Sequence, residues 1–187
     1  IQSAVGVRIE SHHKSHVKMA LLSEPVYGNN SEFRLSFEFN TTSADGILFY
    51  GRNRNPQEMI ALVLENGDLM YKIRCSTVYA DILVPTQNNS LLNDSTWHTI
   101  SYSIEYGSYS SQGRLELDGR LDSRVGRYSF SCANLTRLIM GGHRERDIGN
   151  IHGLENLPGH FEGCIRNAFV TNAQAHPPKY SFVSICE

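Results

Sequence analysis

The segment Phe33-Arg34-Leu35-Ser36-Phe37-Glu38-Phe39 sets Phe, Leu, Phe and Phe on one side of an extended chain, and Arg, Ser and Glu on the other. A period of two buries one face of a sheet and matches no face of a helix. The pattern recurs over residues 97–104, while "GILFYG" at 46–51 and the run 59–64 are denser in apolar residues. Such runs suit strands covered on both faces. Asn66-Gly67 follows the second run, and Asp118-Gly119 ends another strand candidate. Both pairs accept the positive φ of a type I′ hairpin turn. Residues 136–140 form a strand candidate ending at Gly141-Gly142, and 161–170 is the last long one. Helical periodicity is nearly absent. Short strands separated by turn residues imply an all-β antiparallel sandwich.

Polar connections fall at 28–31, 52–57, 87–96, 107–113 and 143–159, with no composition change on either side and no repeat. One domain over residues 1–187 is the expectation. The chain is 40% hydrophobic and 19% charged with formal charge −2, which gives non-specific nucleic-acid binding no electrostatic support. The apolar run 59–64 is too short to cross a bilayer, so no membrane insertion is expected. Ile1 opens the chain with no charged-then-apolar leader, and we expect a signal peptide or flanking domains of a larger multidomain protein to lie outside it. The four cysteines show neither C-x-x-C nor zinc spacing. Five N-x-[ST] sequons, at Asn29, Asn40, Asn88, Asn93 and Asn134, join them in pointing to a secreted, oxidised glycoprotein. Four cysteines permit three pairings, and spacing does not choose among them.

The stretches "FRLSFEFNTTSADGILFYG", "MIALVLENGDLMYKI", "DSTWHTISYSI", "RLELDG", "RLIMGG" and "HFEGCIRNAFVTN" occur in that order. Together they resemble a laminin G-like (LG, or LNS) domain over nearly the whole chain. The resemblance implies a two-sheet, concanavalin-like jelly-roll sandwich of about fourteen strands. It also implies a Cys164–Cys186 disulfide, which leaves Cys75 and Cys132 for each other. Many LG domains hold one Ca²⁺ at a rim of the sandwich. Counting by the family's spacing from Gly67 lands on Glu58, where Asp is usual, and then on Cys75; counting back from Gly141 lands on Ser131, Cys132, Ala133 and Asn134. The expected cofactor is therefore none, or a single Ca²⁺ held by Glu58, Cys75, Ser131 and Asn134. A Cys75–Cys132 staple is expected to replace the ion partly or wholly. The plainer alternative makes Glu58 a solvated loop acid and the disulfide merely structural. Arg52, Arg54, His143, Arg144 and Arg146 approach the same rim in the family fold, and arginine forks suit carboxylate, sulfate and phosphate. Glu145 and Asp147 largely cancel that charge, and the plainer alternative is an ordinary solvated loop.

No catalytic residues are expected. Glu116-Leu117-Asp118 begins the E-x-D-x-E strand of retaining glucanases, but residue 120 is Arg and 121 is Leu, so the second carboxyl that retaining hydrolysis needs is missing. His12, His13 and His16 read as a solvated polar segment, and His98 as a buried, hydrogen-bonded side chain. The expected function is a non-enzymatic extracellular recognition or adhesion module of a matrix or cell-surface protein. Its partner would be a protein receptor or an acidic or sulfated glycan bound through rim loops. The alternative, from another class, is a carrier holding a steroid between the sheets, lined by Phe37, Phe39, Leu48 and Tyr50, although the same residues equally fill a core.

Overall fold

A computed structural model describes residues 6–10, 15–21, 32–55, 57–75, 78–107, 109–130, 132, 135–142, 158–171 and 178–186. In chain order the strands are β1 (Gly6–Ile9), β2 (His16–Ala20), β3 (Glu32–Asn40), β4 (Gly46–Arg52), β5 (Met59–Glu65), β6 (Asp68–Cys75) and β7 (Val78–Val84). They continue as β8 (His98–Tyr106), β9 (Ser111–Leu117), β10 (Arg120–Asp122), β11 (Ser129–Phe130), β12 (Arg137–Met140), β13 (Gly163–Val170), β14 (Lys179–Ser181) and β15 (Ser184–Cys186). Two sheets result. The first runs β10-β9-β8-β3-β13-β1-β15, with β11 also pairing β9, and the second runs β14-β2-β12-β4-β5-β6-β7. Every strand pairing described is antiparallel; a lone bridge, Ile47 to His160, is parallel. The jelly-roll sandwich implied by the sequence is the fold. Among the described residues it has fifteen strands.

Strand β3 buries Phe33, Leu35, Phe37 and Phe39 and turns the residues between them outward, as its alternation dictates. The β5–β6 turn has Asn66 at φ 54° and Gly67 at φ 83°, and the β9–β10 turn has Asp118 at 50° and Gly119 at 76°. Both match the left-handed pairs of type I′ hairpins.

The main core lies between the sheets and is strongly aromatic. Phe33, Phe37, Phe39, Phe49, Tyr71, Tyr102 and Phe161 are all buried there, with edge-on contacts such as Phe37 to Phe49 at 6.3 Å between ring centres. A second buried cluster, Ile47, Tyr50, Met59, Ala61, Val63 and Ile139, occupies the outer face of the second sheet. Strands β4 and β5 are therefore covered on both faces, as their dense apolar runs anticipate.

Tyr50 departs from the sequence reading. A bulge shifts the β4–β5 register between Ile47 and Phe49, so Leu48 and Phe49 both face the main core while Ile47 and Tyr50 both face outward. A bulge breaks the period of two locally, and Tyr50 cannot share a face with Phe37, Phe39 and Leu48. Those three fill the core.

Candidate functional site

The strand directions define two poles. At one meet the end of β4, the start of β5, the end of β6 and the start of β12. At the other meet the end of β3, the β5–β6 turn and the β7–β8 connection.

Cys75, the last residue of β6 and 1% exposed, is joined to Cys132 at the first pole. The bond ties the end of β6 to the segment that leads into β12. Cys164 of β13 is joined to Cys186 of β15, across β1, which pairs with both strands. All four cysteines are thus accounted for.

Glu58 lies beside this staple. Met59 pairs with Arg74, so continuing the register sets Glu58 opposite Cys75. Glu58 is 6% exposed, and its Oε2 accepts a 2.5 Å hydrogen bond from the Asn53 amide. Asn53 Oδ1 accepts from the Asn55 N–H at 2.7 Å, and the Glu58 N–H donates to the Asn55 carbonyl at 3.1 Å. Glu58 is accordingly no solvated loop acid; its carboxylate is buried and knits the β4–β5 loop together. A buried polar group needs such hydrogen-bond partners to offset its removal from water. Of the expected calcium ligands, Glu58 and Cys75 fall on described residues. Glu58 is one carboxylate with an oxygen already engaged, no three His, Cys, Asp or Glu side chains converge among the described residues, and Ca²⁺ takes six to eight oxygens. Ser131 and Asn134 lie outside the described residues, as do His143, Arg144 and Arg146.

The rim carries a cationic row that sequence spacing does not reveal. Arg52 pairs with Arg137 across β4 and β12, and with Met59 across β4 and β5. Met59 in turn pairs with Arg74. Arg137, Arg52 and Arg74 therefore line up across the outer face of the second sheet, one pleat beyond Ile139 and Tyr50. Arg137 and Arg54 are exposed and Arg52 is half-buried. Arg74 is committed to structure: it pairs with Asp81 at 2.7 Å, donates to the carbonyls of Ile73 and Ala80, and lies 5.8 Å from the Tyr79 ring centre. On the outer face of the first sheet, too, cations sit beside carboxylates: Arg34 with Glu32, Arg114 with Glu116 and Arg166 with Glu38. Arg52 and Arg137 stand directly opposite in register, and two like charges so placed on one face are by themselves destabilising. Arg137 stands inside "RLIMGG", and only the β4–β12 pairing brings it to Arg52.

The remaining candidates have structural partners. Glu116 faces outward to Arg114. Asp118, at the hairpin turn, accepts from the Thr99 N–H at 2.7 Å and holds His98 Nδ1 at 2.9 Å. His98 Nε2 faces Asp94 at 3.1 Å. Burial alone would push the Asp94 carboxyl up, but hydrogen bonds from Thr96 and His98 outweigh it and hold the carboxyl below the ordinary range. His16 opens β2 and is buried, contrary to its reading as solvated; His12 and His13 lie outside the described residues.

Among the described residues no helix is long and apolar enough to cross a membrane. The two antiparallel sheets place the chain in the class of jelly-roll β-sandwich folds. The laminin G domain family model matches residues 39–173, and the chain belongs to that family. It is 29% identical over 172 residues to protein eyes shut homolog of Homo sapiens, covering 82% of this chain and 5% of that protein. To laminin subunit alpha of Drosophila melanogaster it is 26% identical over 137 residues, covering 71% of this chain and 4% of that protein. To neurexin-2 of Mus musculus it is 25% identical over 150 residues, covering 79% and 8%. The chain thus spans less than a tenth of the length of each of these relatives. Among solved structures, domains LG4-5 of the mouse laminin alpha1 chain superpose with TM-score 0.69 at 18% identity, over 97% of this chain and 46% of that one. The heptameric SAP-like pentraxin of Limulus polyphemus does so with TM-score 0.58 at 10% identity, over 97% and 94%. At these identities the likeness concerns the fold.

Proposed function

We propose that the chain is one extracellular, non-enzymatic LG recognition domain of a larger matrix or cell-surface protein, binding an acidic or sulfated glycan, or an acidic receptor surface, through the disulfide-tied rim. The Arg52–Arg137 juxtaposition carries this reading. Two arginines directly opposite in strand register, with Arg54 in the adjoining loop, bring planar guanidinium donors suited to sulfate or carboxylate to one rim. Disulfide Cys75–Cys132 and the Glu58–Asn53 bond hold the strand ends that present them.

Heparin serves as the probe. The oxidised domain is expected to be retained on immobilised heparin at low salt, and Arg52→Ala/Arg137→Ala to bind about tenfold more weakly, or ~1.4 kcal/mol. Retention should fall steeply with salt, because exposed charges are screened over about 10 Å at 0.1 M. Arg34→Ala removes the same kind of charge from the first sheet and should leave retention unchanged. Equal loss in both variants would reduce the effect to net charge and remove the rim from the account.

A second reading, a carrier of a lipophilic ligand, is favoured by one observation. A cleft of about 400 Å³ opens between the sheets at the β14 flank, lined by Val7, Val17, Met19, Met140, Ile165 and Tyr180 among others. The volume lies within the range of small-molecule pockets. A dansyl steroid should then bind saturably, and Val17→Phe, which fills the cleft, should abolish the binding. Fluorescence that rises without saturation removes the carrier reading.

A further inference from the structure

Three sequons fall on described residues, and all three are at the pole opposite the arginine rim. Asn40 ends β3, while Asn88 and Asn93 lie in the β7–β8 connection. Their side chains are not equivalent. Asn40 Nδ2 donates to the Ser95 carbonyl at 2.9 Å, and Asn93 Nδ2 reaches the Thr42 carbonyl at 3.5 Å. Ser95 is the hydroxyl residue of the Asn93 sequon, and Thr42 is that of the Asn40 sequon. Each carboxamide thus braces the other's acceptor motif. The Ser95 N–H adds a 3.1 Å bond to the Thr41 carbonyl. Asn93 Oδ1 also lies so close to Gly67 that a Cβ there would meet it at 2.7 Å.

Asn88 differs on every count. It sits in the 3₁₀ turn Gln87–Asn89 with φ 57°, and residues 87–91 are all exposed. The turn is closed by its flanks: Thr86 Oγ1 donates to the Ser90 carbonyl at 2.5 Å, and Ser90 Oγ to the Gln87 carbonyl at 2.9 Å. No hydrogen bond among the described residues engages the Asn88 carboxamide.

We propose that Asn88 carries an N-linked oligosaccharide, and that Asn40 and Asn93 act as loop braces and carry none. The inference rests on the extracellular reading above. In the attachment, Nδ2 of Asn88 loses a proton and bonds to C1 of an oligosaccharide, while the C1–O bond to a lipid-linked diphosphate donor breaks and the diphosphate leaves with the electron pair. A separate transferase supplies the donor. The glycan then stands at the pole away from Arg52 and Arg137 and leaves that rim open.

The test expresses the chain behind a secretion leader in cultured animal cells, so that it meets the transferase whatever its native location. Glycans are then released with peptide N-glycosidase in ¹⁸O water, which marks each formerly glycosylated Asn as labelled Asp. Label is expected at residue 88 and absent from 40 and 93. Asn88→Gln should lose the mass of one glycan and keep its thermal midpoint. Unglycosylated Asn40→Ala should melt about 3 °C lower through the lost brace. Label at 40 or 93, or none at 88 in secreted, disulfide-bonded protein, overturns the proposal. If leader-driven protein is labelled at 88 but protein from its native source is not, the extracellular reading fails instead.

Discussion

Replacing Cys75 and Cys132 together by alanine is expected to cost about 4 kcal/mol of stability, the entropic value for a closed loop of this length. The two residues are separated by 57 positions, against 22 for Cys164 and Cys186, for which the same relation gives about 3 kcal/mol. The longer loop also ends at a fully buried cysteine that packs into the main core, so truncation there adds lost packing to lost cross-linking. For a chain of 187 residues the first change corresponds to a fall in melting midpoint of roughly 10 °C, read by calorimetry without reductant. The variant should also lose heparin retention, because Arg52 and Arg137 lie on strands whose ends the staple holds. Millimolar Ca²⁺ should leave the midpoint of the oxidised wild type unchanged if the staple, and no ion, orders this rim. A saturable rise in midpoint with Ca²⁺, lost in Glu58→Ala, would sink that account and return the rim to a metal site.

What the sequence made legible were the features that depend on neighbours along the chain. The alternation of β3, the two-sided burial of β4 and β5, and the Asn66-Gly67 and Asp118-Gly119 turns all follow from local periods and local φ preferences. The expectation that Glu58 and Cys75 share one rim came instead from the family's spacing, and the β5–β6 register sets the two opposite each other. What stayed hidden depends on pairings between distant segments. Arg137 becomes a rim residue only because β12 pairs with β4. Asn40 and Asn93 brace each other only because the chain leaving β3 meets the chain entering β8. Tyr50 changed faces because one bulged residue reversed the parity of its strand. Strands β1, β14 and β15 are three or four residues each, too short for a period to declare itself. The plainer alternative, Glu58 as a solvated loop acid, fails for a related reason: a loop acid looks exposed until the amide that buries with it, Asn53, is seen.

Alkali should unfold this protein through its core. Tyr71 of β6 and Tyr102 of β8 face each other across the two sheets with their hydroxyl oxygens 2.7 Å apart and both rings fully buried. Gly113 on β9 leaves the room: a Cβ there would stand 2.9 Å from the Tyr71 oxygen. One hydroxyl donates and the other accepts, so neither is left unpaired in an apolar setting. Tyr102→Phe strands its partner and is expected to cost about 1–3 kcal/mol, whereas Tyr71→Phe/Tyr102→Phe removes both and should cost less than the two single changes summed. Burial pushes both hydroxyls well above the ordinary tyrosine range; the neighbouring Tyr71 raises Tyr102 further, while the bond from Tyr102 draws Tyr71 partly back. Burial also lifts Tyr106 to about 12, against a smaller opposing pull from its backbone bond at Leu135. Unfolded tyrosines ionise near pH 10. Above that pH the unfolded chain has released protons that the folded chain still holds, so stability is intact below pH 10 and falls as pH rises toward the folded values. Each retained proton is worth about 1.4 kcal/mol per pH unit, or roughly 4 kcal/mol per unit for the three hydroxyls together. Urea midpoints should therefore be flat from pH 7 to 9.5 as far as these groups go, and fall steeply beyond 10. The double Phe variant should lose about two thirds of that slope; an unchanged slope would place the alkaline weakness elsewhere than in the tyrosine pair.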